Sequence, residues 1–331
     1  LYNLEEMIRD KIDFINKSLE EIDISNVHPI LRIPSKYIIS SGGKRLRPII
    51  CTLCAELMGG DYKDTKNAFL ALELLHNGTL IHDDIIDDDL FRRGNPSAPV
   101  KFGLKRAVLT GDALFSLGLK FAAKTGRQRV VELLSETSLK MVQGVALQTF
   151  KRRKMISEEE YLNINYLKSG SLFEAAAAIG GLIISSRKVD LERLAGFGRN
   201  FGNAYQIRDD IYGVFAESRN DNLSRNDLLN GDVTLPFIYA LQSNIILDRD
   251  RKTITSVYMG ETEKVDPTEV QRIYKKTGAL DRSILKMKEF AEEGRKYLEP
   301  YERSEAKKVL NFMLDQYYVN FTPSTKLTVL V

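Results

Sequence analysis

Five aspartates, Asp83, Asp84, Asp87, Asp88 and Asp89, crowd into seven residues at the carboxyl end of an apolar helical stretch. Such crowding is costly, because Asp is a weak helix former, carboxylates one turn apart repel, and negative charge there opposes the helix dipole. Something cationic has to compensate. On a helix Asp83 and Asp87 share a face, one turn apart, with Asp84 beside them, so their oxygens can converge on a hard cation. Magnesium suits this set: it takes one or two carboxylates, keeps several waters and completes its octahedron with phosphate oxygens. A diphosphate is therefore the expected companion, and a solvated acidic helix end is the plain alternative. Arg92 and Arg93 follow at once, and His76 lies two turns before Asp83 on the same face. The planar guanidinium suits phosphate oxygens, although Arg92 could equally pair with Asp88 or Asp89.

Three further segments carry the same chemistry. Lys44, Arg45 and Arg47 follow Gly42 and Gly43 at what reads as a helix start, and helix amino ends favour anions. Lys168 and Ser169 lie on a helix whose other residues are small or apolar, where an unpaired ammonium needs an anion. Gln206, Asp209 and Asp210 share a helix that is apolar at Phe201, Ala204, Ile207 and Ile211. Two acidic helices facing each other across a bundle core would hold a diphosphate through metal ions.

Long helices must position these groups. Helical periodicity covers about residues 4–19, 46–58, 64–88, 98–124, 129–150, 157–184, 190–215, 235–247, 266–277, 279–298 and 302–318. Alternating strand patterns are missing, and no repeat or low-complexity linker divides the chain. The expectation is an all-α, single-domain bundle of about ten or more helices around a deep central cavity, spanning residues 1–331. The polar stretch 217–233 reads as the one long internal loop, and loops of that length usually have a task. The chain has 48 Lys and Arg against 45 Asp and Glu, a net charge of +3. That excludes a nucleic-acid or membrane field, so anion binding is local. Cys51 and Cys54 have no second pair to complete a zinc site. They read as buried free thiols in a cytoplasmic, soluble chain with no transmembrane segment.

Taken in order, GGKRLRP at 42–48, LIHDDIIDDDLFRRG at 80–94, GDALF at 111–115, the segment 168–173, YQIRDD at 205–210 and GDVTLP at 231–236 resemble the trans-prenyltransferases. These are the farnesyl, geranylgeranyl and longer-chain polyprenyl diphosphate synthases, of isoprenoid synthase fold. The resemblance spans about residues 35–240. It implies that Lys44, Arg47, His76 and Arg93 bind isopentenyl diphosphate and that Arg92 holds the allylic diphosphate. It implies two or three magnesium ions on Asp83, Asp84 and Asp87, with Asp209 contributing from the facing helix, and support of the allylic group by Lys168, Ser169 and Gln206. The implied chemistry is ionisation of the allylic diphosphate, attack by the isopentenyl double bond, and proton loss. Leaving-group charge must be stabilised and water kept out, which matches the residues present. A homodimer is implied, with the helices from 98 to 150 as the contact surface and a heteromer as the alternative.

The chain departs from the family pattern in three places. The second acidic motif ends in Gly213, without its third carboxylate. The two loop lysines of the family align with Asn222 and Asp232, so one charge is lost and the other reversed. These departures suggest a slower enzyme, or a weak or regulatory subunit that needs an active partner. A class I terpene cyclase is a third reading, since Asn220–Ser224 followed by Asp227 loosely resembles a cyclase metal motif, but Leu228 stands where that motif ends in Glu.

Gly78 and Thr79, one turn before Asp83, are expected to line the path of the growing tail, about 6–8 Å below the metal site. Short-chain family members often carry aromatic rings there. Their absence implies a deeper channel and a product of geranylgeranyl length or longer.

Overall fold

The computed structural model describes residues 4–215, 227–262 and 266–322. Its helices, in chain order, are α1 (Leu4–Glu20), α2 (Pro29–Ile39), α3 (Leu46–Leu57), α4 (Lys66–Ile86), α5 (Ala98–Phe102), α6 (Leu104–Ala123), α7 (Gln128–Phe150) and α8 (Glu158–Asn165). They continue with α9 (Ser171–Ile184), α10 (Lys188–Phe215), α11 (Asp227–Asn230), α12 (Leu235–Gln242), α13 (Asp248–Tyr258), α14 (Pro267–Lys276), α15 (Ala279–Leu298) and α16 (Glu305–Leu314). The all-α expectation holds. Among the described residues the exception is a small hairpin, β1 (Phe91–Arg92) and β2 (Asn95–Pro96), paired antiparallel.

Differences from the periodicity have local causes. Helix α2 is hidden by Pro29 and Pro34; the first sits in the opening turn, where proline is tolerated, but the second removes an interior donor. Helix α13 has a mostly polar sequence whose buried apolar residues, Ile254, Val257 and Tyr258, come only in its second half, and its buried Asp250 is held by Arg272 from α14 at 2.6 Å. The stretch 98–124 breaks at Gly103, whose φ of +84° suits glycine and few other residues.

Helices α4 and α10 carry the acidic motifs through the middle of the molecule. Helix α4 packs along α6, and α10 lies between α9 and α15. One hydrophobic cluster runs from Leu4 to Phe321. The run Glu158–Ile184 is long and apolar enough to cross a membrane, but 72% of its most apolar window is buried. Its partners are α3, α7 and α10, so its apolarity is accounted for by the core. Close approach in that core depends on glycine: a Cβ on Gly144 of α7 would stand 2.5 Å from the backbone nitrogen of Lys168.

Candidate active site

A cavity of about 810 Å³ opens between α4, α7 and α10. Asp83 and Asp87 line it from the end of α4, Asp209 and Gln206 from α10, and Lys168 and Ser169 from the segment between α8 and α9. The two acidic helices thus share one cavity. Lys168 and Ser169 sit on a π-helical turn, Tyr166–Gly170, that joins α8 to α9 without a break. Such turns insert an extra residue and re-aim side chains, and they recur at functional sites. Lys168 donates to Gln148 Oε1 at 2.7 Å, and Ser169 donates to Gln206 Oε1 at 2.6 Å.

The acids divide by environment. Burial raises the pKa of Asp83, with the Lys168 ammonium working against it. Burial also raises Asp209, opposed by Arg208, Lys44 and Arg47. Asp84 takes another direction: it is buried, is absent from the cavity lining and is ion-paired with Arg92, which also reaches Asp89 at 3.1 Å. Burial nevertheless lifts its pKa to about 6. The structure therefore gathers Asp83, Asp87 and Asp209 and holds Asp84 apart, behind Arg92. Asp210 also turns aside, accepting from Tyr161 at 2.6 Å and Gln206 at 3.0 Å, and burial pushes it up.

A second cavity, of about 500 Å³, adjoins the first and is lined by Lys44, Arg47, His76, Arg93 and Tyr205. Arg47, His76, Arg93 and Tyr205 belong to both linings. Arg93 reaches this place because the two-residue turn Arg93–Gly94 has positive φ at both positions, 52° and 75°. Its guanidinium meets Gly42 O and Ser41 Oγ. Arg47 lies over the Phe173 ring at 4.4 Å and donates Nη1 to His76 Nε2 at 3.1 Å. Burial, followed by Arg47 and its neighbours, pushes His76 well below its ordinary pKa. The neutral ring that accepts from Arg47 carries its proton on Nδ1. Arg47 Nε is buried with no hydrogen-bond partner, a vacancy that a phosphate oxygen would fill. Arg45, in the same basic segment, is structural: it is buried, ion-paired with Glu73 at 2.5 Å, and donates to Ile39 O.

Of the two tail-path residues, Thr79 lines the main cavity and Gly78 does not. A Cβ on Gly78 would lie 3.1 Å from Gly111 O and 3.3 Å from Phe115 Cδ2, so Gly78 serves the contact of α4 with α6. The apolar wall is made instead by Phe115, Met141, Val142, Val145 and Ala146. Two of the departures from the family pattern look different in space. Asp227 lines the cavity, and a Cβ on Gly213 would stand 3.2 Å from Asp227 Oδ2. A carboxylate is thus present beside the position that lacks one. Asp232 is ion-paired with Arg152 at 2.9 Å, so its negative charge is compensated. Asn222 lies outside the described residues, as do Asn220–Ser224 of the cyclase-like segment. Spacing offers no signal for Arg152 or Gln148, because each comes from an element read only as core or turn; Tyr205 stands in the YQIRDD motif, where the reading singled out only its polar neighbours.

The family model described as Polyprenyl synthetase matches residues 28–277. The chain is 31% identical over 320 residues to the short chain isoprenyl diphosphate synthase of Methanothermobacter thermautotrophicus, covering 92% of this chain and 97% of that one. It is 32% identical to the geranylgeranyl diphosphate synthase of Methanosarcina mazei, covering 90% and 92%. A solved polyprenyl synthase from Caulobacter crescentus, complexed with calcium and isoprenyl diphosphate, superposes with a TM-score of 0.84 at 25% identity, over 94% of this chain and 95% of that one. The resemblance read from the motifs is borne out: with its two acidic helices on one cavity and its basic cluster beside them, this chain belongs to the polyprenyl synthetase family.

Proposed function

We propose that the chain condenses isopentenyl diphosphate with an allylic diphosphate and releases a linear geranylgeranyl or longer polyprenyl diphosphate. The observation that carries this is the convergence of Asp83, Asp87 and Asp209 on a cavity whose far wall is apolar and whose neighbour is basic. Three carboxylates on one cavity, with Asp227 adjoining, fit magnesium, two or three ions of it, on Asp83, Asp87 and Asp209. When bound, magnesium supplies positive charge that stabilises the departing diphosphate. Asp84 contributes by fixing Arg92, which would hold the allylic group together with Lys168. Ser169 and Gln206 orient Lys168's surroundings through their mutual hydrogen bond.

Lys44, Arg47, His76 and Arg93 would take the isopentenyl diphosphate in the adjoining basic cavity. Neutral His76 can donate from Nδ1 without repelling Arg47, which a charged ring would do. The apolar wall keeps water from the allylic cation, and no side-chain nucleophile is needed. Support for a single domain is the one continuous hydrophobic cluster. A homodimer would cover the exposed apolar residues Leu109, Leu139 and Phe150, and buried free Cys51 and Cys54 suit a reducing, cytoplasmic setting. The alternative of a dependent subunit is weakened, since Asp227 and Arg152 supply charges near positions that lack them.

The test is incubation of the chain with labelled isopentenyl diphosphate, magnesium and C5, C10, C15 or C20 primers, with product length resolved after dephosphorylation. Linear alcohols of C20 or longer are expected. Cyclic hydrocarbon would indicate a cyclase, and no product despite magnesium-dependent diphosphate binding would indicate a dependent subunit.

A further inference from the structure

The basic turn KRRK at 151–154 follows α7 directly, next to Gln148, Thr149 and Phe150 of the cavity lining. Arg153 has a φ of +59° and donates to three distant carbonyls: its amide to Gly231 O at 2.9 Å, Nη1 to Tyr258 O at 2.7 Å and Nη2 to Leu229 O at 3.1 Å. These bonds fasten α11 and the residues after it to the end of α7. Arg152, the preceding residue, joins two acids of the cavity lining. Its Nε donates to Asp232 Oδ1 at 2.9 Å and its Nη2 to Asp232 Oδ2 at 3.2 Å, a fork that fixes the guanidinium plane. The same Nη2 reaches Asp87 Oδ1. Among the described residues no acceptor meets Nη1.

Arg152 is thus a cation resting on one of the carboxylates that would hold metal. Were Asp87 to hold a metal ion, Nη2 would give up that acceptor while Asp232 kept the guanidinium through the fork, leaving donors of Arg152 available to a phosphate oxygen at the site. We propose that Arg152 binds the allylic diphosphate and that Asp232 is the residue that positions it, so that the carboxylate at 232 fixes a cation in the site. This rests on the prenyl-transfer reading of the cavity. Arginine suits the role because its fork can keep one carboxylate while a further nitrogen meets a phosphate oxygen. A simple charge reversal at 232 would leave a buried carboxylate facing the diphosphate; the pair with Arg152 removes that conflict.

The experiment compares the parent with Arg152→Ala, Arg152→Ala/Asp232→Lys and Arg152→Ala/Asp232→Asn. It measures kcat and KM for farnesyl and isopentenyl diphosphates, calorimetric binding of the unreactive thiolo analogue of farnesyl diphosphate with magnesium, and thermal melting. Arg152→Ala should lower kcat/KM for the allylic substrate by about 100-fold, weaken the analogue by about tenfold, and leave the KM of isopentenyl diphosphate within about threefold. Asp232→Lys should restore most of the allylic affinity and rate in the Arg152→Ala background. Asp232→Asn, which only removes the unpaired carboxylate, should restore melting but not affinity. Equal rescue by Asn and Lys, or an Arg152→Ala analogue affinity within about threefold of the parent, would reduce Arg152 to an ion-pair partner and overturn the inference. A parent that binds the analogue yet makes no product would instead overturn the prenyl-transfer reading, and analogue binding by the variants would still decide the role of Arg152.

Discussion

Asp83 and Asp209 come from different helices and share a cavity, and burial raises the pKa of both. Each therefore keeps a proton to higher pH than a free aspartate at 3.8, whereas a metal ligand must be ionised. Magnesium uptake should then release protons, and its affinity should fall as pH is lowered through the range where these groups titrate. Calorimetry in buffers of different ionisation enthalpy reads this directly; heats that do not depend on the buffer would contradict it. His76 works in the opposite sense, since burial and nearby arginines keep it neutral in the folded chain. Its fold-stabilising contribution is present above the ordinary histidine pKa of 6.5 and declines below it, as the unfolded chain alone takes up the proton. These residue types were legible in the sequence. Their protonation was not, because it depends on burial and on charges from distant segments.

At the scale of elements, α4 presents its faces to different partners. Gly78 meets α6, while Thr79, the next residue, meets the cavity. Thr79→Phe should shorten the main product by one or two isoprene units with the chain still folded. Gly78→Phe should lower thermal stability, because its ring would enter the space of Gly111 and Phe115, and overpacking of this kind costs roughly 1–3 kcal/mol or more. Chromatography of dephosphorylated products and thermal melts separate the two outcomes; a shortened product from Gly78→Phe at unchanged stability would reverse the assignment. The spacing along α4 marked both residues as one turn from Asp83, but which of two adjacent residues faces inward is settled by the packing of α6. The π-helical turn carrying Lys168 is similar, since the segment reads as continuous helix and the extra residue emerges only with the contact to α7 at Gly144.

At the scale of the whole molecule, α6 and α7 expose Leu109, Leu119, Leu139 and Phe150. Phe150 and Val142 also line the cavity, so a second copy laid on this face would complete the cavity's outer wall. Leu109→Glu with Leu139→Glu should convert a dimer to a monomer by light scattering and lower activity; a parent that is already monomeric would remove the dimer from the proposal.

The sequence by itself determined the class of fold, the two acidic helices and the order of the phosphate-binding motifs. These follow from periodicity and residue type, which act over a turn or two of helix. Tertiary structure decided how the acids are shared out, with Asp84 drawn to Arg92 and Asp210 to Tyr161. It also set Asp227 beside Gly213 and Arg152 on Asp232, residues 14 and 80 positions apart in the chain. Charge compensation is a matter of a few ångströms in space, and no spacing rule along one strand of sequence encodes it.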